Sequence, residues 1–112
     1  MQFEGYPKIL NEFAGYKSVI QGCAKKTVDE YMLDLRTFFR FLKSRGQVLS
    51  DEEFEAIAID DVDVEYISRI TSMDIYEFLM YLERERGNSW SARARKLSAI
   101  KGLFKYLTVK RE

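Results

Sequence analysis

Residues 27–46 read TVDEYMLDLRTFFRFLKSRG, and the spacing of their apolar positions decides what kind of chain this is. Val28, Tyr31, Met32, Leu35, Phe38, Phe39 and Leu42 recur three and four residues apart, the interval that stacks side chains on one face of an α-helix. Thr27 followed by Glu30 has the form of a capping box, in which a hydroxyl and a carboxylate satisfy the free amides of a helix start. Gly46, after Lys43 and Arg45, suits a C-terminal cap. The segment is expected to be a helix from about Val28 to Arg45.

Three further helices flank it. PKILNEFAGYKSVIQG (7–22) puts Pro7 at a first helical position, spaces Ile9, Leu10, Phe13, Tyr16, Val19 and Ile20 helically, and stops at Gly22. TSMDIYEFLMYLERERGN (71–88) opens on Thr71 with Asp74 as a capping pair, carries the stripe Ile75, Phe78, Leu79 and Leu82, and ends at Gly87 or Asn88. The last helix is expected to begin near Ser89 or Ser91, with Trp90, Leu97, Ile100, Phe104 and Leu107 along one side. From Gln47 to Ile70 the pattern weakens to a short turn after Ser50 and a helical turn around Val64 to Ile70. No strand pattern competes, so the expected fold is all-α, a compact bundle of four main helices forming one domain over residues 1–112.

Composition narrows the function. The 112 residues are 46% hydrophobic and 32% charged with one proline, the profile of a folded helical chain. A single cysteine, Cys23, and no zinc-ligand spacing suit a reducing cytoplasm. No apolar run approaches the ~18 residues of a membrane span, and the start MQFEGYPK lacks the order of a signal peptide. There is no histidine, no phosphate-binding glycine loop and no nucleophile elbow, so no self-sufficient active site is expected. DDVDVE (60–65) spaces Asp61, Asp63 and Glu65 like the start of a calcium loop, but Tyr66 stands where glycine is needed and Ser72 where a glutamate is needed. No metal or cofactor is expected; the acids are better read as solvated caps.

The formal net charge is zero, but the charges are sorted along the chain. Between Asp51 and Glu77 lie ten acids against one base, Arg69; between Arg86 and Arg111 lie eight bases and no acid. A polyanion would meet mainly the basic end. At about 100° per residue, with Leu97 at the centre of the buried face, the outer side of the last helix collects Ser91, Arg95, Ser98, Ala99, Gly102 and Tyr106, with Lys101 and Lys105 on the flank. Centring the second helix on Leu35 groups Arg36, Arg40 and Lys43 outside, beside Lys26, Thr37 and Ser44. Arginine and lysine neutralise phosphates while hydroxyls hydrogen-bond the same backbone, so both faces suit a nucleic-acid duplex. Lysines on an outer face are also what an ordinary solvated surface shows. Gly102 inside a helix permits close approach of a phosphate or another helix, or is simply tolerated.

Three segments together resemble the N-terminal core-binding domain of the tyrosine recombinases, the phage integrase and Xer-like family, a SAM-like helical domain. TVDEYMLDLRTFFRFL is similar to its T-x3-Y-x2-D-L-x2-F-x2-F-L helix, matching Thr27, Tyr31, Asp34, Leu35, Phe38, Phe41 and Leu42. ITSMDIYEFLMYL resembles its I-T-x2-D-I element. SARARKLSAIKGLFKYL matches its final helix at Arg95, Leu97, Ser98, Ala99, Lys101, Phe104, Tyr106 and Leu107. The resemblance implies one half of a clamp around a recombination-site duplex, with the second and fourth helices toward DNA. It also implies a separate C-terminal domain that supplies the catalytic tyrosine. On that reading the chain is a fragment that binds and positions without cutting, contacts other recombinase protomers on DNA, is monomeric alone and has no membrane partner. The expected DNA-binding residues are Arg36, Arg40, Lys43, Ser91, Arg95, Ser98, Lys101 and Lys105. The alternative is a helical protein-interaction module, with the acidic segment of one copy meeting the basic helix of another.

Overall fold

The computed structural model describes residues 4–45 and 47–110. Its elements are α1 (Lys8–Gly15), a π-helical turn (Tyr16–Ile20), α2 (Lys25–Ser44), α3 (Asp51–Glu55), α4 (Val64–Ser68), α5 (Ser72–Arg86) and α6 (Trp90–Lys110), with no strand among the described residues. This is the all-α architecture expected, with α1, α2, α5 and α6 as the main helices and α3 and α4 as single turns in the segment where the apolar pattern weakened.

The central helix is α2, which buries Val28, Met32, Asp34, Leu35, Phe38, Phe39 and Phe41. Phe38 meets Phe78 of α5 edge-on with ring centres 5.1 Å apart, and Phe41 lies 4.9 Å from Tyr81. Phe38 has no exposed surface, and a Phe→Ala change at so closed a position costs about 3–5 kcal/mol. Phe13 and Ala14 of α1 and Ala99, Ile100 and Leu103 of α6 close the same core.

The caps follow local chemistry. Ser50 and Glu53 form a capping box on α3, Thr71 and Asp74 form the expected one on α5, and Asp63 accepts from the Tyr66 amide at the start of α4. Gly87 ends α5 at φ 61°, a left-handed conformation that costs glycine little. Ser89 accepts from the Ala92 amide at the head of α6.

Four expectations change. The Thr27–Glu30 capping box does not form, because α2 begins at Lys25 with Ala24 as its N-cap and Thr27 lies inside the first turn. The Cys23 amide donates to the Lys17 carbonyl and Gly22 turns at φ 67°, which brings the chain back to helical geometry early. Pro7 is the N-cap of α1, extended at ψ 155°, and is not the first helical residue. Beyond Gly15 the helix widens to a π turn in which the Gln21 amide reaches the Tyr16 carbonyl. The extra residue per turn rotates Val19 and Ile20 off the buried stripe, and both are exposed. The cap expected at Gly46 lies outside the described residues.

The fourth change concerns α6. Its buried line runs through Lys96, Ala99, Ile100 and Leu103, while Leu97 is half-buried and Trp90 is exposed. The true core face is turned by about 100°, one residue, from one centred on Leu97. The cause is Lys96, a charged residue in the core line, drawn inward by a carboxylate on α2.

Candidate nucleic-acid interface

That carboxylate is Asp34, 3% exposed on the face of α2 toward α6. Arg95 donates to it through Nε and Nη2, both at 3.0 Å, and Lys96 donates through Nζ at 2.9 Å. Lys96 has an 11% exposed side chain and is enclosed with its partner. Arg95 keeps 42% of its side chain exposed, with Nη1 3.6 Å from Glu30. The hydrogen bonds that Arg95 donates to Asp34 raise its pKa still further, with burial acting against them. The planar guanidinium is thus fixed by its inner edge on Asp34, with Nη1 on its outer, partly exposed edge near Glu30.

The turned face leaves the polar row of α6 intact. Ser91, Arg95, Ser98, Lys101 and Lys105 are all exposed. Ala99 is fully buried, which corrects its placement outside, and Gly102 and Tyr106 are half-buried toward α1. A Cβ at Gly102 would sit 3.6 Å from Phe13 Cζ and 3.8 Å from Lys17 Nζ, so this glycine faces another helix. Lys101 and Lys105 enter no ion pair among the described residues.

The α2 row differs. Arg40 is only 13% exposed at its side chain; it donates through Nε to the Ile57 carbonyl at 3.0 Å and pairs with Glu55 at 3.1 Å. Burial and then the neighbouring Arg36 lower its pKa, while Glu55 acts against them. Lys43 is bonded to Asp61, whose carboxyl that bond holds below the usual range. Arg45 pairs with Asp74 and Glu77. The acids separated from these bases along the sequence are therefore not separated in space: Glu55 and Asp61 of the α3–α4 segment and Asp74 and Glu77 of α5 pair with the bases at the C-terminal half of α2 and just beyond it. Among the described residues Arg36 pairs with no carboxylate, and it lies over the Tyr6 ring at 5.8 Å. Among the eight expected residues, the fold groups Ser91, Arg95, Ser98, Lys101 and Lys105 on one exposed face, and sets Arg95, Arg40 and Lys43 in ion pairs with their own chain.

Two residues were not singled out as functional from the sequence. Asp34 was visible only as a position of a resembling motif, and the signal was a carboxylate flanked by Leu33 and Leu35 on a helix whose neighbours are buried. Lys17 belongs to the first helix by sequence, and, one turn after Phe13, it lies beside Gly102 of α6. The acids that resemble a calcium loop have other uses: Asp61 holds Lys43, Asp63 caps α4 and Glu65 pairs with Arg69. No helix among the described residues is long and apolar enough to cross a membrane.

A helical bundle whose longest helix carries an acid-free row of bases and hydroxyls is an all-α domain with one basic, hydroxyl-bearing face. Residues 9–111 match the model of the phage integrase N-terminal SAM-like domain, and the chain belongs to that family, the N-terminal domain of tyrosine recombinases. It is similar to tyrosine recombinase XerC of Caldanaerobacter subterraneus subsp. tengcongensis, at 41% identity over 103 residues, 91% of this chain and 29% of that protein. It is also similar to tyrosine recombinase XerS of Lactococcus lactis subsp. cremoris (34% over 91 residues, 73% of this chain, 24% of that protein) and of Streptococcus uberis (33%, same coverage). The chain thus spans between 24% and 29% of the length of these relatives. No solved structure matches it.

Proposed function

We propose that residues 1–112 act as the DNA-gripping domain of a site-specific tyrosine recombinase. In this role the domain holds one face of the recombination-site duplex while a separate C-terminal domain performs strand cleavage and joining. The observation that carries the reading is the exposed row Ser91, Arg95, Ser98, Lys101 and Lys105 on α6, free of acids. Lys101 and Lys105 supply charge to backbone phosphates, the serines supply neutral hydrogen bonds, and Arg95 offers a guanidinium edge fixed by Asp34. On α2, Arg36 is the base best placed to add to this grip, with Arg40 and Lys43 contributing only if duplex phosphates displace Glu55 and Asp61.

The partners on this reading are double-stranded DNA and other recombinase protomers on it, in the cytoplasm, with the isolated domain monomeric and needing no cofactor. Head-to-tail association through acidic and basic surfaces finds less support, because Glu55, Asp61, Asp74 and Glu77 are already paired with bases of their own chain. Fluorescence anisotropy with a labelled duplex tests the reading. Weak binding that falls steeply with salt is expected, and Arg95→Glu with Lys101→Glu should abolish it. A double variant that binds as tightly as the parent would exclude the α6 face.

A further inference from the structure

On the α1 side of the α6 row, the side chain of Lys17 projects from the π-helical turn. Its Nζ lies 5.8 Å from the centre of the Phe13 ring and 5.4 Å from that of Tyr31, and it donates to Gln21 Oε1 at 2.9 Å. Gln21 in turn donates through Nε2 to the Tyr16 hydroxyl at 3.2 Å. The ammonium is therefore positioned from three sides by groups that carry no negative charge. No carboxylate pairs with it among the described residues. An ammonium has three donors, and a single amide oxygen takes one of them.

The neighbour on the fourth side is the α6 backbone at Gly102, where the missing side chain leaves the ammonium next to the helix. Gly102 lies one turn after Ser98 and one turn before Lys105, so Lys17 borders the polar row on its α1 side while Lys101 borders it on the other. Lys17 follows Phe13 by four residues at the start of the widened turn Tyr16–Ile20, so its side chain lies over the Phe13 ring and beside Gly102. Wide turns of this kind recur at functional sites.

We propose that Lys17 binds a backbone phosphate of the duplex, as a cation of the same surface as Ser98, Lys101 and Lys105. The inference rests on the DNA-gripping reading and extends it from one helix to a face built by two elements. The two rings and Gln21 hold the ammonium in place, so an arriving phosphate meets a cation that is already oriented.

Salt titration of the 112-residue chain on a labelled duplex of about 20 base pairs tests it. For Lys17→Gln, the slope of log K against log salt should shrink by about 0.9, the contribution of one phosphate. Lys17→Arg should retain the parental slope, and Arg69→Gln, an equal change of net charge just past α4, should leave it unaltered. Acetylation footprinting of the unaltered protein gives a readout that does not depend on any variant folding: duplex should protect Lys17 together with Lys101 and Lys105. If the parent binds duplex while Lys17→Gln keeps the full slope, or Lys17 acetylates equally with and without DNA, the assignment of Lys17 is overturned alone. If the parent binds no duplex even at low salt, the DNA-gripping reading falls and this inference with it.

Discussion

Replacing Asp34 with alanine removes the shared acceptor of Arg95 and Lys96, and the two bases should respond unequally. Arg95 is 42% exposed and lies 3.6 Å from Glu30, so it can turn outward at a cost of about 1 kcal/mol or less, as exposed ion pairs do. Lys96, 11% exposed, sits in the core line of α6 beside Ala99 and Ile100 and has no comparable exit. Leaving one charge of a buried pair without its partner costs about 3–5 kcal/mol, a large share of the stability of a domain this size. In urea the midpoint should fall by about 2 M at unchanged slope, for a slope of about 1.5–2 kcal/mol per M. The double variant Asp34→Leu with Lys96→Met buries no charge and should return to within about 1 kcal/mol of the parent. Circular dichroism during urea unfolding reads both. A single variant within about 1 kcal/mol of the parent, or a double variant no more stable than the single, would refute the account of Lys96 as a base drawn inward by Asp34.

Two glycines should answer alanine with opposite signs in thermal melts. Gly102→Ala removes a helix-propensity penalty of about 1 kcal/mol and makes only ordinary contact with Phe13, so it stabilises, whereas Gly87→Ala forces a side chain to φ 61° and costs about 1 kcal/mol or more. Acid should destabilise the fold: the carboxyls of Glu53, held down first by the Ser50 amide, Asp61, by Lys43, and Asp74, first by the Thr71 amide, all titrate lower than in the unfolded chain. Their contribution is whole above the unfolded values and is lost as pH falls through the folded ones, so melting temperature should hold down to about pH 5 and drop below about pH 4.5; a flat profile to pH 3 would contradict it. Glu55→Gln with Asp61→Asn releases Arg40 and Lys43, and should tighten duplex binding and steepen its salt slope by up to about 0.9 per cation that gains a phosphate. An unchanged slope would place that half of α2 away from the DNA.

How far the sequence reaches into this fold depends on whether the deciding interaction is local. Helices α2 and α5 are legible because their apolar residues repeat at 3.6, and the Thr71–Asp74 cap is legible because both partners lie within one turn. The rotation of α6 is not legible, because a lysine occupies a core position and the carboxylate that admits it is 62 residues away. The π turn is not legible either, since a run such as YKSVIQ spaces its apolar residues as an α-helix would. The same distinction governs charge. Sorting along the chain suggested two free basic faces, yet Arg40 and Lys43 meet acids 15 and 18 residues away, beyond any helical spacing and within easy reach of a folded-back loop. What survives folding is a basic surface narrower on α2 and broader at α1 than the linear pattern implies. A salt slope from the unaltered chain counts its phosphates directly: Lys17, Arg36, Lys101, Lys105 and the outer edge of Arg95 together call for a slope of about −4.5, at about −0.9 per phosphate. A slope steeper than about −5 would require Arg40 and Lys43 to leave their acids when DNA arrives, which makes the α3–α4 segment a competitor for the phosphates.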